Sequence, residues 1–95
     1  FIFSGFMFIP QDDVYEFMTK SDDGSVLYIN NKKVVDNDGS HAAITASGRI
    51  ALKKGFHQYK LMYFEDYEGE ELSWAWKRVI DKQYAPILKE NLFVR

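Results

Sequence analysis

The sequence predicts an all-β domain, an antiparallel β-sandwich or flattened barrel. Three observations carry this: an aromatic-rich composition, turn signals at short intervals, and two-residue alternation between them. Aromatic residues make up 17% of the chain, as 8 Phe, 6 Tyr and 2 Trp, and such side chains suit a pleated, half-buried surface. Turn residues recur at Pro10-Gln11-Asp12-Asp13, Ser21-Asp22-Asp23-Gly24, Asn30-Asn31, Asp36-Asn37-Asp38-Gly39, Ser47-Gly48, Lys54-Gly55 and Glu68-Gly69. That spacing fits many short strands better than helices alternating with strands.

In chain order, Phe1–Ile9 is apolar enough for an interior strand. Tyr15, Phe17 and Thr19 share one face of the next, with Glu16 and Lys20 on the other. Leu27 and Ile29 precede Asn30-Asn31, and Val34-Val35 follow. Asn tolerates the left-handed backbone of tight hairpin turns, so this stretch reads as a β-hairpin. Ile50 and Leu52 alternate with Arg49, Ala51 and Lys53; Tyr59, Leu61 and Tyr63 with Gln58 and Lys60; Leu72, Trp74 and Trp76 with Ser73 and Ala75. Each strand offers one face to a core. The pattern predicts burial of Tyr15, Phe17, Leu27, Ile29, Ile50, Leu52, Tyr59, Leu61, Leu72 and Trp76. Trp76–Tyr84 holds a weak helical pattern, and Ala85-Pro86-Ile87 reads as a last extended piece.

With 95 residues, the chain is long enough for one core and too short for two, so residues 1–95 form a single domain. The net charge is −2, which leaves no basic field for a phosphate backbone. Nucleic acid is therefore not an expected partner. The apolar runs Phe1–Phe3 and Phe6–Pro10 are too short to span a bilayer, so no membrane insertion is expected. Cysteine is absent, removing disulfides, thiolate nucleophiles and Cys-based zinc sites. The first residue is Phe, so the chain is expected to be excised or processed from something longer.

The sharpest local feature is the acidic turn Ser21-Asp22-Asp23-Gly24-Ser25. Adjacent carboxylates and loop carbonyls suit a hard cation such as Ca²⁺. From spacing alone ordinary turn chemistry is the favoured reading, with Asp bonding nearby N–H groups and Gly taking positive φ, because such strand-ending turns are common. A second acidic loop, Asp36-Asn37-Asp38-Gly39-Ser40-His41, also offers oxygens. It is not an EF-hand, which needs Gly at its sixth position and Glu at its twelfth; here Gly39 is fourth and Ser47 twelfth. A hairpin between the two loops could bring them together or hold them at opposite ends. No catalytic residues are expected: the acids cluster in turns, and a paired-carboxylate mechanism needs a cleft that shifts pKa values. His41 and His57 lack metal-ligand spacing and a nucleophile partner. Trp74 and Trp76 share one strand face, as a stacking platform for sugar rings or as core.

Taken in order, the motifs resemble a known module. They are Phe3-Ser4-Gly5-Phe6, Ile9-Pro10, Val14-Tyr15-Glu16-Phe17, Ser21-Asp22-Asp23-Gly24-Ser25-Val26-Leu27-Tyr28-Ile29, and Val34-Val35-Asp36-Asn37-Asp38-Gly39-Ser40-His41. Gly48–His57, Tyr63-Phe64-Glu65, Leu72-Ser73-Trp74-Ala75-Trp76 and Pro86-Ile87 complete the series. Together they resemble the PA-fourteen (PA14) domain family, named after the N-terminal part of anthrax protective antigen. The resemblance covers nearly the whole chain. It implies a β-sandwich or flattened barrel, here similar to the later two-thirds of a family domain and lacking its usual first strands. Asn31 stands where a turn Gly is usual, and Lys77-Arg78 where Gly-Pro commonly follows the last Trp.

Family members are appended to bacterial glycosidases, proteases, toxins and yeast adhesins. The wording here is most similar to modules on exported glycoside hydrolases, including β-N-acetylhexosaminidase-type enzymes. The resemblance implies a non-catalytic carbohydrate-binding accessory module, extracellular, cell-surface or periplasmic, with glycan and the adjoining domains of its parent as partners. In the adhesin branch the matching aspartates hold Ca²⁺, which contacts sugar hydroxyls. This makes Asp22 and Asp23 the candidate metal ligands, and Asp22, Asp23, Asp36, Asn37 and Asp38 the candidate ligand-binding residues. The alternative is a structural spacer or protein-contact domain whose acidic turns are architectural. A first strand left without its usual neighbour would also expose an apolar edge, so self-association through Phe1–Ile9 is expected.

Overall fold

The computed structural model describes residues 2–21, 24–37, 44–63 and 72–94. They form nine strands: β1 (Ile2–Ile9), β2 (Asp13–Ser21), β3 (Ser25–Ile29), β4 (Lys32–Asn37), β5 (Ile44–Leu52), β6 (Gly55–Tyr63), β7 (Leu72–Arg78), β8 (Ala85–Pro86) and β9 (Leu92–Phe93). A 3-10 turn spans Lys89–Asn91. One sheet runs β4-β3-β6-β1-β9 and the other β5-β2-β7-β8, with antiparallel neighbours throughout. The two sheets remain separate, so the fold is a sandwich and not a closed barrel.

The alternating faces meet between the sheets. Met7, Ile9, Phe17, Leu27, Ile29 and Val35 are fully buried, joined by Tyr15, Leu52, Tyr59, Leu61 and Ile87. Burying one such side chain contributes about 1.5–3 kcal/mol. Ile50 and Trp76 depart from the sequence expectation and are only partly buried. Ile50 lies on β5, an edge strand open on one flank. Trp76 opposes β8, which is two residues long and covers little of it. The side chain of Leu72 lies outside the described residues.

The predicted hairpin turn is present: Asn30 and Asn31 have φ of 52° and 66°, the left-handed pair that matches strand twist in a two-residue loop. Lys77 and Arg78 belong to β7 rather than to a helical turn. The expected turn at Ser47-Gly48 is instead the middle of β5. The reason is a close approach between sheets. Val34 is the residue skipped between the β3–β4 pairs Leu27↔Val35 and Tyr28↔Lys33, a bulge. A Cβ on Gly48 would stand 1.7 Å from the carbonyl oxygen of Val34. Glycine is there to admit a neighbouring backbone, not to turn the chain.

β1 likewise corrects its expectation of an unpaired edge. It pairs along its whole length with β6, from Ile2↔Met62 to Ile9↔Gly55. On its other side Phe6 and Met7 pair with β9, which leaves only part of that flank open.

Candidate functional site

Alternate strands deliver their ends to one pole of the sandwich. Ser21, at the end of β2, lies opposite Ile44 of β5 and Leu72 of β7. In the other sheet Ser25, at the start of β3, lies opposite Asn37 of β4 and Tyr63 of β6. The acidic turn after Ser21 and the acidic loop after Asn37 therefore leave from the same pole. This answers the question that the sequence left open.

Side chains tie the two sheets there. The Ser25 hydroxyl donates to the Thr19 hydroxyl at 3.0 Å, and the Asn37 amide donates to the Thr19 carbonyl at 3.4 Å. Thr19, Ser25 and Asn37 are all buried, forming a polar floor under the pole. Asp36 faces outward, half exposed, with its carboxylate 3.3 Å from the Lys33 ammonium. Of the five residues expected to bind ligand, the structure thus anchors Asp36 and Asn37 on opposite faces of β4. Asp22, Asp23 and Asp38 lie outside the described residues, as does His41. Among the described residues no group of three acidic, His or Cys side chains converges on a metal.

Residues 1–88 match the PA14 domain family. The chain belongs to the PA14 family. The "Beta-hexosaminidase" of Porphyromonas gingivalis (strain ATCC BAA-308 / W83) is 30% identical over 97 residues, covering 95% of this chain and 12% of that protein. The chain thus spans about an eighth of that relative, as an accessory module would. Among solved structures, an anti-sigma factor domain-containing protein superposes with a TM-score of 0.89 at 25% identity, covering 99% of this chain and 33% of its own. The PA14 domain of the MpAFP antifreeze protein gives 0.85 at 14% identity, over 96% of this chain and 49% of its own, which supports the fold.

The opposite pole of the PA14 module holds chemistry that the sequence did not reveal. Arg78 grips Asp81 through Nε and Nη2, each at 3.1 Å, with Asp13 at 3.7 Å. The guanidinium holds the Asp81 carboxyl below its ordinary range. On the outer face of the second sheet, Tyr84 donates a short hydrogen bond to Glu16, which also accepts from Arg49 at 2.8 Å. The Tyr84 hydroxyl, then Arg49, pull the Glu16 carboxyl down. Burial, then the Glu16 partner, push the Tyr84 phenol up. These partners are up to 68 residues apart, so no local motif announces them.

His57 has a structural role: Asn30 Nδ2 donates to its Nδ1 at 2.9 Å and its Nε2 donates to the Lys53 carbonyl at 2.7 Å. It pins two turns together. Trp74 and Trp76 face inward, packing on Tyr59 at 5.6 Å and Tyr15 at 6.2 Å between centroids. They are core residues, each with an edge showing in a surface cavity.

Proposed function

We propose that this PA14 module is a non-catalytic carbohydrate-binding accessory domain of a secreted or cell-surface glycoside hydrolase of the β-N-acetylhexosaminidase type. Its site is the pole carrying Asp22, Asp23, Asp36, Asn37 and Asp38, with Asp22 and Asp23 as ligands to Ca²⁺. The observation that carries the reading is the convergence of Ser21, Ser25 and Asn37 at one pole, which roots both acidic loops side by side over a polar floor. The relative of 30% identity, a β-hexosaminidase, supports the parent's class.

The donor set is all oxygen, as Ca²⁺ prefers. When bound, the cation supplies a strong positive contact for sugar hydroxyls. Asn37 and Thr19 fix the strand ends beneath it. Two adjacent carboxylates repel unless a cation or N–H donors compensate them. The spacer reading draws on Asp36, whose carboxylate is already paired with Lys33.

Titration calorimetry with N-acetylglucosamine oligomers and N-acetylgalactosamine, in calcium and in chelator, separates the readings. Binding in calcium that disappears in chelator and in Asp22→Asn/Asp23→Asn is expected. A folded module that binds neither sugar in calcium contradicts the proposal and favours the spacer.

A further inference from the structure

The pole away from the acidic loops contains a cavity of about 220 Å³. Six residue steps along β2 separate Tyr15, on its wall, from Ser21, which is about 20 Å of extended chain. The cavity is smaller than the roughly 300–1,000 Å³ of drug-sized sites, so it takes one small ring. Its walls come from the β1–β2 connection (Pro10, Gln11), from Trp76 on β7, and from the β7–β8 connection (Asp81, Gln83).

We infer that this cavity is a second binding site, for a single neutral pyranose ring set against the exposed edge of Trp76 and held by the amides of Gln11 and Gln83. Trp76 is only partly buried and offers an apolar edge to the ring C–H groups, its position fixed by packing against Tyr15 and against Phe17 at 6.0 Å. Gln11 and Gln83 are exposed, and each side-chain amide supplies both donors and an acceptor, the pairing that sugar hydroxyls need.

Charge decides for a neutral ligand. The Arg78 guanidinium is spanned by Asp81 and approached by Asp13. The Lys77 ammonium donates to the Asp81 carbonyl at 3.0 Å and lies 5.4 Å from the Tyr84 ring centroid. Both cations are engaged, so an anion gains little. A purely apolar ring would strip water from the two amides and return no hydrogen bond.

The test is an NMR titration of the protein with methyl β-D-glucopyranoside and methyl N-acetyl-β-D-glucosaminide, all in chelator, with benzene as the apolar control. Shifts of the Trp76 indole N–H and of the Gln11 and Gln83 side-chain amides, with Trp74 unmoved, are expected. They persist in Asp22→Asn/Asp23→Asn, so the site stands or falls apart from the acidic pole. Gln83→Ala should weaken binding about three- to tenfold, the value of one neutral hydrogen bond. Ala85→Leu, a change at an exposed position on the cavity rim, should abolish it while leaving the fold intact. Unmoved Trp76 and Gln signals at saturating sugar overturn the inference. Equal response to benzene, or unaltered affinity in folded Gln83→Ala and Ala85→Leu, does so too.

Discussion

Gly48→Ala tests the joint between β4 and β5 that places the second acidic loop. The new Cβ would stand 1.7 Å from the Val34 carbonyl oxygen and 2.8 Å from its carbon. Both are backbone atoms, so no rotamer change relieves them. Restoring ordinary contact requires the strands to part by more than about 1 Å, and interiors this dense yield poorly. Overpacking of this kind costs about 1–3 kcal/mol or more. It outweighs the roughly 0.5–1 kcal/mol by which Ala is better than Gly in a strand. At about 4–8 °C per kcal/mol for a domain of this size, the melting temperature should fall by roughly 5–20 °C. Calorimetry and urea unfolding followed by Trp fluorescence measure it. Gly55→Ala is the control: its Cβ meets nothing within 4 Å, so any loss there comes from a φ of 132° alone. A Gly48→Ala protein as stable as wild type would refute the close approach of the two strands.

Leu61→Ala empties a fully packed position and should cost about 2–5 kcal/mol in urea unfolding; a loss under ~1 kcal/mol would mean that the assigned inner face is wrong. Thr19→Val removes the hydroxyl accepting from Ser25 and should cost about 1–3 kcal/mol with the fold retained, whereas an unchanged midpoint would remove the polar floor from the account. Glu16 has a folded pKa below its ordinary 4.5, so its contribution is present above that value and is lost as pH falls through the folded one. Melting temperature should therefore fall more steeply below about pH 4.5 in wild type than in Glu16→Gln; superimposable curves contradict the pairing. Tyr84, raised from 10.0, should ionise at lower pH in Glu16→Gln by phenolate absorbance, while remaining elevated because burial is the larger cause; an unmoved midpoint speaks against the hydrogen bond.

The sandwich was legible because its signals are local. Alternation from Tyr15 to Thr19 and from Tyr59 to Tyr63 names the inner face without knowledge of the partner strand. Asn30-Asn31 names its own turn because few residues accept left-handed backbone. Ser47-Gly48 misled because glycine serves both turns and close approaches, and only the bulged Val34 on another strand distinguishes them. Met7 and Ile9 joined the core through a pairing with β6 that spans most of the chain, beyond the reach of a local pattern. The acidic turn was visible as residue types, but that it leaves from the same pole as the second loop depended on strand register. The cavity at Trp76 was less visible still, since its walls come from three separate segments and Trp76 itself reads as core.

A calcium titration of the melting temperature is the sharpest check on the proposed cation and glycan site at the acidic pole. Binding to the folded state alone should add about 2.7 kcal/mol when free Ca²⁺ reaches a hundred times its Kd. The melting temperature should climb with calcium in wild type and stay flat in Asp22→Asn/Asp23→Asn. A flat response in the folded wild-type protein would contradict it.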